Sequence, residues 1–382
     1  MAQTARKLFS VRYGERPHEI LFRPWGFHVP AEGEASIGPY RFQVDPKGEV
    51  FYIIIRTPGG VRINIYDFKG NFIKNLDIKH SVKQNGYEID KKGVIIVKGS
   101  GEYDLKALFL DPQGRCYLHY IDYAEDCRYK HKLICLERSG DENATISKSL
   151  NEALFLACKQ GFDGQLIGVT AQGRVCFLGY LNNDRYLFCI SSPGKSEYIK
   201  ANVSPCKIII DIFNERVYQL KQIGEIVSTF GYNINAEKTK TSINGVRFDK
   251  IKVKVYEIDR RSSYEYELLP KDKPKREQEE LVGLAHAAVD GRGHLYLQMR
   301  ERELKMREIE NPQIGDFRVT YPHHVLEYDP RGKWMRTCAK VEYPSYGGIL
   351  GVETFWDVDQ AGNLYYLRWT EIALEVWMVP VV

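Results

Sequence analysis

The 382-residue chain has no apolar run near the roughly 18 residues that a helix needs to cross a bilayer, which excludes a helical membrane span. It has eight cysteines but no CxxC pair, and so lacks the spacing of a zinc ribbon or a thioredoxin-type redox motif. GxSxG, Walker A, GxGxxG and HExxH patterns are missing too. The hydrolase elbow, the phosphate loop, the dinucleotide fold and the zincin helix are excluded with them. Catalytic groups assembled from distant loops would leave no such trace. Charge of one sign is scarce: 54 Lys and Arg against 50 Asp and Glu leave a formal +4, too little to imply nucleic acid or membrane. The opening MAQTARKLFSVRYGERPHEI lacks the apolar stretch of a secretory signal. The chain is expected to be soluble and, as given, cytoplasmic, although a signal removed beforehand would leave no mark.

Aromatic residues are abundant, with 25 Tyr and 17 Phe, and they favour pleated, half-buried surfaces. They recur in one phrase. A period-2 strand, an Asp-x-x-Gly turn and an aromatic strand make up VDPKGEVFY (Asp45, Gly48), LDPQGRCYL (Asp111, Gly114), VDGRGHLYL (Asp290, Gly293) and VDQAGNLYY (Asp359, Gly362). VTAQGRVCF keeps Gly173 with Thr170 in place of Asp, and IDIFNERVYQL keeps Asp211 without a glycine. Asp hydrogen-bonds the backbone of its own turn, and Gly supplies positive φ. A second hairpin follows each phrase in five of the six units, as in INIYDFKGNFI and VLEYDPRGKWMRT. Each of those units therefore reads as four antiparallel strands, A to D. The last has room for three, and the N-terminal RKLFSVRY can supply its fourth. Closing a ring in this way removes exposed sheet edges.

The run QVDPKGEVFYIIIRTPGGVRINIYDFKGNFIKNL resembles the repeat of NHL-type six-bladed β-propellers, with Arg56 standing where an Asp often follows the second strand. The resemblance covers residues from about 40 onward and is strongest in the first and last two units. It implies an all-β, six-bladed β-propeller of four-stranded antiparallel blades, with residues 1–39 as closing strand and lead-in and 40–382 as the propeller. Some propellers of this kind bind RNA on one face. YEIDKKGVIIVKG lies only 21 residues before the Asp111 turn and reads as an extra hairpin between the first two blades; a degenerate seventh blade is the alternative.

Strand alternation puts every tight A–B and C–D turn on one face of the ring, and the B–C loops and blade-to-blade connections on the other. The long insertions, 222–248 and 300–322, both fall on the second face, where per-repeat insertions commonly bind. The leading expectation is therefore a non-enzymatic recognition or scaffold module that docks a protein or a glycan there. Its candidate contacts are Phe230, Tyr232, Arg300, Arg302, Phe317 and Tyr321, since exposed aromatics and arginines dominate interface energetics. SLNEALFLACKQG is expected to form a short helix over the rim, with a Ser149–Glu152 capping box and Gly161 at its end.

The alternative is a hydrolase or lyase at the channel mouth. Stepping four residues back from each A–B turn gives Arg41, Ala107, Leu166, Lys207, His286 and Phe355. Of these, His286, Arg41 and Lys207 would carry the chemistry, and Phe355 would close the mouth if it faced inward. The set lacks the oxygens of a calcium site, and no metal or cofactor is expected. His323 and His324 are adjacent on a strand and so point to opposite faces. An RNA reading draws on Lys238, Lys240, Lys250, Lys252, Lys254 and Arg260 beside Phe230 and Tyr232. Glu277, Glu279 and Glu280 nearby suggest a solvated, paired surface instead. Cys176 and Cys189 are placed to face each other across a hairpin, and Cys116 and Cys135 are similarly symmetric. Small buried residues or cross-strand disulfides would both fit.

Overall fold

The structure is a computed structural model that describes residues 4–22, 38–57, 60–81, 86–89, 95–98, 103–111, 113–123, 129–137, 141–181, 184–191, 195–200, 207–231, 241–260, 262–271, 280–302, 320–344, 355–370 and 372–381. After the lead strand β1 (Arg6–Arg12), blade 1 comprises β2 (Gly38–Val44), β3 (Val50–Thr57), β4 (Gly60–Asp67) and β5 (Phe72–Ser81). A hairpin of β6 (Gly86–Ile89) and β7 (Ile95–Lys98) follows. Blade 2 holds β8 (Tyr103–Leu110), β9 (Cys116–Tyr123) and β10 (Tyr129–Leu136), then helix α1 (Ala144–Lys159). Blade 3 runs through β11 (Asp163–Val169), β12 (Val175–Leu181), β13 (Asp184–Ser191) and β14 (Lys195–Lys200). Blade 4 starts with β15 (Lys207–Asp211) and β16 (Arg216–Ile223), sends out a ribbon of β17 (Ile226–Gly231) and β18 (Thr241–Val246), and resumes with β19 (Lys250–Glu257) and β20 (Ser262–Leu268). Blade 5 is β21 (Leu281–Val289), β22 (Leu295–Glu301), β23 (Thr320–Tyr328) and β24 (Trp334–Pro344). Blade 6 is β25 (Trp356–Val358), β26 (Leu364–Trp369) and β27 (Ala373–Val379), completed by β1 on β27.

This is a six-bladed β-propeller closed by its N-terminal strand. The extra hairpin is part of blade 1's sheet, not a seventh blade: β7 pairs in parallel with β5, Ile78 opposite Ile95. In blade 2 the outermost place is taken by α1. The Asn151 side chain works as a surrogate strand against β10, accepting from the Leu133 amide at 2.8 Å and donating to the Leu133 carbonyl at 2.8 Å. Ser147 Oγ accepts from the Cys135 amide at 3.0 Å. These bonds occupy an edge that would otherwise be open to pairing. The helix begins six residues earlier than the Ser149 box implies, because Asn143 caps it and accepts from the Ile146 amide. Leu150, Ala153, Leu154 and Ala157 form its buried stripe, and Gly161 follows its end at φ 89°.

Core side chains lie between blades. One cluster joins blades 5, 6 and 1 through Tyr296, Trp356, Leu374 and Phe51; further clusters join 1 to 2, 2 to 3, 3 to 4 and 4 to 5. The A–B turns link the blades as well. Asp45, Asp111, Asp211, Asp290 and Asp359 are buried, and one oxygen of each accepts two amides of its own turn. Each turn then bonds to the next. Gln360 N donates to Pro46 O, Gly291 N to Gln360 O, Asn214 Nδ2 to Gly291 O, Ala171 N to Ile212 O and Gln113 Nε2 to Ala171 O. The chain of bonds runs from blade 1 through 6, 5, 4 and 3 to blade 2, so the tight-turn face is a hydrogen-bonded floor. In the turn without glycine, Glu215 takes the left-handed conformation at φ 52°. Its carboxylate reaches blade 3, 3.5 Å from Arg174, so that contact offsets the strain. At Gly48 a Cβ would stand 2.3 Å from the Tyr365 hydroxyl and 2.8 Å from Asp359. Glycine here serves close blade-to-blade approach as well as positive φ.

Cys176 and Cys189 do face each other, opposite in register with sulfurs 2.7 Å apart as free thiols. Cys116 and Cys135 do not. Cys116 lies opposite Leu136 and Cys135 opposite Tyr117, and that one-residue offset sends the two thiols to different faces. Cys116 packs between blades 1 and 2, and Cys135 between blades 2 and 3.

Candidate functional site

The inner strands bend sharply around the channel, and four of the six absorb the bend as bulges. Register slips between Pro39 and Arg41, Leu105 and Ala107, Leu166 and Gly168, and twice between Val282 and His286. A bulge re-aims the side chains beside it. Of the six positions stepped back from the turns, Leu166 and Phe355 are buried in interblade core, Phe355 edge-on to Trp369 at 4.7 Å. The side chain of Ala107 lies outside the described residues. Arg41, Lys207 and His286 remain half-buried on β2, β15 and β21.

These three come from the inner strands of blades 1, 4 and 5. Burial holds His286 well below the usual imidazole range, and the charges of Lys207 and Arg41 push it lower. Lys207 reaches blade 5 next to His286 through the Ala285 carbonyl, and blade 6 meets blade 1 where Asp357 accepts from the Val44 amide. The ring of His286 sits edge-on to Trp356 at 5.0 Å. Burial pushes the Lys207 ammonium down to about 8, and its Nζ donates to the Ala285 carbonyl. The Arg41 guanidinium lies 4.4 Å over the Phe109 ring. Its Nε is buried with no hydrogen-bond partner among the described residues, and so is Oε1 of Gln43.

A fourth member went unread in the sequence. Asp357 of β25 accepts from the Val44 amide at 3.0 Å and the Val358 amide at 2.9 Å. Burial pushes its carboxyl up to about 7, against those two amides and the charge of Arg41. Asp357 and Gln43 both stand two residues before their turn Asp. The signal was therefore a second row of inner-strand positions, one step nearer the turn than the row taken.

The sign of the Asp357 effect is set by linkage. Its folded pKa exceeds that of an exposed Asp, so the native state holds the proton longer than the unfolded chain. Its contribution to stability is complete below about pH 4 and is lost as pH rises through about 7. Asp357→Asn cannot ionise. Its stability relative to the parent, measured by urea denaturation, should rise by about 2 kcal/mol between pH 5 and pH 8. A constant offset from the lost carboxylate oxygen leaves this slope unchanged. A flat difference across that range would show Asp357 to be ordinary.

The insertion feet form the second part of the face. Arg247, at the root of the β17–β18 ribbon, pairs with Glu225 at 2.9 Å and Asp249 at 2.7 Å, and lies 4.0 Å from Glu280. Glu280 in turn holds Arg302 at 2.7 Å, where the blade 5 insertion begins. Gln222 donates to the Val246 carbonyl at 2.6 Å and accepts from the Leu284 amide at 2.8 Å. One polar network thus roots both insertions. Arg302 is mostly covered, its side chain 13% exposed, so it anchors the loop. Arg300 is half-buried in β22 opposite His323. Phe230 lies in β17 opposite Ser242, and Tyr321 in β23 opposite Tyr343, with side chains outside the described residues. Tyr232 and Phe317 lie outside them altogether. His323 and His324 diverge as their alternation requires. His323, pushed down to about 4 by burial, meets Gln298 at 3.0 Å, and His324 meets Glu301. Among the described residues no three His, Cys, Asp or Glu side chains group as metal ligands.

No protein-family model matches the sequence, and no curated protein matches it either. The NHL-type likeness therefore stands at the level of architecture. Among solved structures, TolB from Acinetobacter baumannii is 11% identical with a TM-score of 0.39, over 81% of this chain and 54% of that one. This chain thus spans about half the length of TolB. The Cps50 (Swd1) β-propeller domain of Myceliophteria thermophila is 10% identical with a TM-score of 0.39, over 99% of this chain and 100% of that one. The Dos1 propeller is 9% identical with a TM-score of 0.38, over 92% and 81%. At that distance nothing about function passes across.

Proposed function

We propose that the chain is a non-enzymatic recognition module, a rigid disc that docks a partner protein on the face carrying the insertions. The observation that carries this reading is the β17–β18 ribbon. A two-stranded hairpin alone is marginal in water, yet this one stands on a network of Arg247, Glu225, Asp249 and Glu280 shared with the next blade. Ile226 at its start is 74% exposed, and among the described residues no third strand pairs with the ribbon, the arrangement an extended segment could join.

Two competing readings fare less well. A hydrolase would need His286 as a proton acceptor near neutrality, and burial beside two cations depresses its basicity. An RNA surface would need free cations on blade 4, but Lys250 pairs with Glu267, Lys254 with Glu265 and Arg260 with Glu257.

The test replaces residues 228–244 with a tight Asn-Gly turn and compares affinity enrichment by the intact and shortened proteins. Matching β-rich circular dichroism guards against misfolding. A protein held by the intact disc and lost by the shortened one supports docking at the ribbon. A glycan in its place, or one protein held equally by both, overturns it.

A further inference from the structure

Among the described residues, two cations of the inner strands, Arg41 and Lys207, form no ion pair. Arg41 has an aromatic ring beneath it, a buried Nε without a partner and, among the described residues, no carboxylate within ion-pair distance. Among the described residues Lys207 is met by a neutral carbonyl. The nearby carboxylate, Asp357, is held by two backbone amides. Holding a half-buried charge with a buried, unpartnered Nε is unfavourable, and binding an anion would relieve it.

We propose that the channel mouth is a binding site for a carboxylate, seated on the Arg41 guanidinium, with Lys207 on the opposite blade of the ring. The planar guanidinium matches the two oxygens of a carboxylate in a bidentate pair. Phe109 and Trp356 make the surroundings apolar, which strengthens such a pair. Asp357 argues for carboxylate over phosphate, because a second negative charge on the ligand would face its like charge. Gln43, on the same side of β2 as Arg41, offers its orphaned Oε1 to a donor on the ligand. This site stands whether or not the ribbon docks a protein.

The experiment titrates the full chain at constant ionic strength with acetate, succinate, triglycine and C-terminally amidated triglycine, and with inorganic phosphate as control. Calorimetry reads the binding, and thermal unfolding reads the stabilisation it brings. Saturable binding of carboxylates, at least tenfold weaker in Arg41→Met and weakened in Lys207→Met, is the expected result. Triglycine binding tighter than acetate or succinate, and lost on amidation, assigns the carboxylate to a peptide end; the opposite order assigns it to a free acid. Ligand-free Arg41→Met should be at least as stable as the parent, since it removes an unanswered charge. The proposal is overturned if carboxylates do not saturate, if Arg41→Met binds them equally, or if phosphate binds ten times tighter. Marked instability of ligand-free Arg41→Met would also overturn it, because Arg41 would then have a partner within the chain. The ribbon-shortened variant keeps carboxylate binding if the site is in the channel, which separates this outcome from the docking test.

Discussion

Removing residues 1–22 should open the ring. β1 pairs with β27 from Arg6 opposite Met378 to Arg12 opposite Ala373, so without it blade 6 keeps three strands and an exposed edge. The segment then crosses to blade 1. Asn64 donates to the Glu19 carbonyl at 3.0 Å, the Tyr66 hydroxyl donates to the His18 carbonyl at 3.1 Å, and Phe9 fills the space over Gly70. Phe9, Val11 and Ile20 are buried in the cluster that joins blades 6 and 1. At about 2 kcal/mol for each large apolar side chain, with a net 0.5–1.5 kcal/mol for each ladder bond (a typical range), the loss is comparable with the whole stability of a domain. The expected result is early proteolysis at the blade 6–blade 1 seam and loss of the cooperative urea transition. A synthetic peptide of residues 1–22 should restore that transition when added back. A truncated chain that unfolds at the parent's midpoint would show that the seam closes without its N-terminal strand.

The blades were legible in the sequence because their signals are local. Asp-x-x-Gly specifies a turn through bonds within five residues, and its six variants marked six inner hairpins. The N-terminal closure was legible from a strand count that came out one short. What could not be read depends on contacts between distant residues. Asn143 is an effective cap only because Ser147 and Asn151 can then seal the edge of β10; Ser149 has the right spacing but sits mid-helix. Cys116 and Cys135 are symmetric in sequence, yet the register between β9 and β10 separates them by one residue.

The channel was half legible for the same reason. Stepping back a fixed number of residues assumes an unbroken pleat, and the inner strands are bulged. Arg41, Lys207 and His286 come from that count and are half-buried, whereas Leu166 and Phe355 turn into interblade core. Asp357 does not appear in the count, although a charged residue between Trp356 and Val358 on an inner strand is conspicuous in the sequence. The turn aspartates had been read as punctuation. In the folded ring they also meet neighbouring blades, and this could not be known before the blades were placed side by side.

That second role sets the cost of removing one. Asp290 accepts from the Arg292 and His294 amides at 2.9 Å each, from the Tyr296 hydroxyl at 3.2 Å and from the Arg292 guanidinium at 2.7 Å. Tyr296 passes the link on, with its hydroxyl 3.2 Å from the Gly362 carbonyl of blade 6. Asp290→Ala would strand two turn amides and a buried tyrosine, so a loss of about 3–4 kcal/mol is expected. Asp290→Asn keeps an oxygen for the amides and gives up the charge for Arg292, and should lose about half as much. Blade 3 provides the control. Thr170 makes fewer bonds, accepting from the Arg174 amide at 3.1 Å and bonding the Glu215 carboxylate of blade 4, so Thr170→Ala should cost about 2 kcal/mol. Urea denaturation of the three variants decides the matter. If Asp290→Ala and Thr170→Ala lost the same amount, the turns would be independent hairpins, and the floor of bonded turns would contribute nothing to holding the disc together.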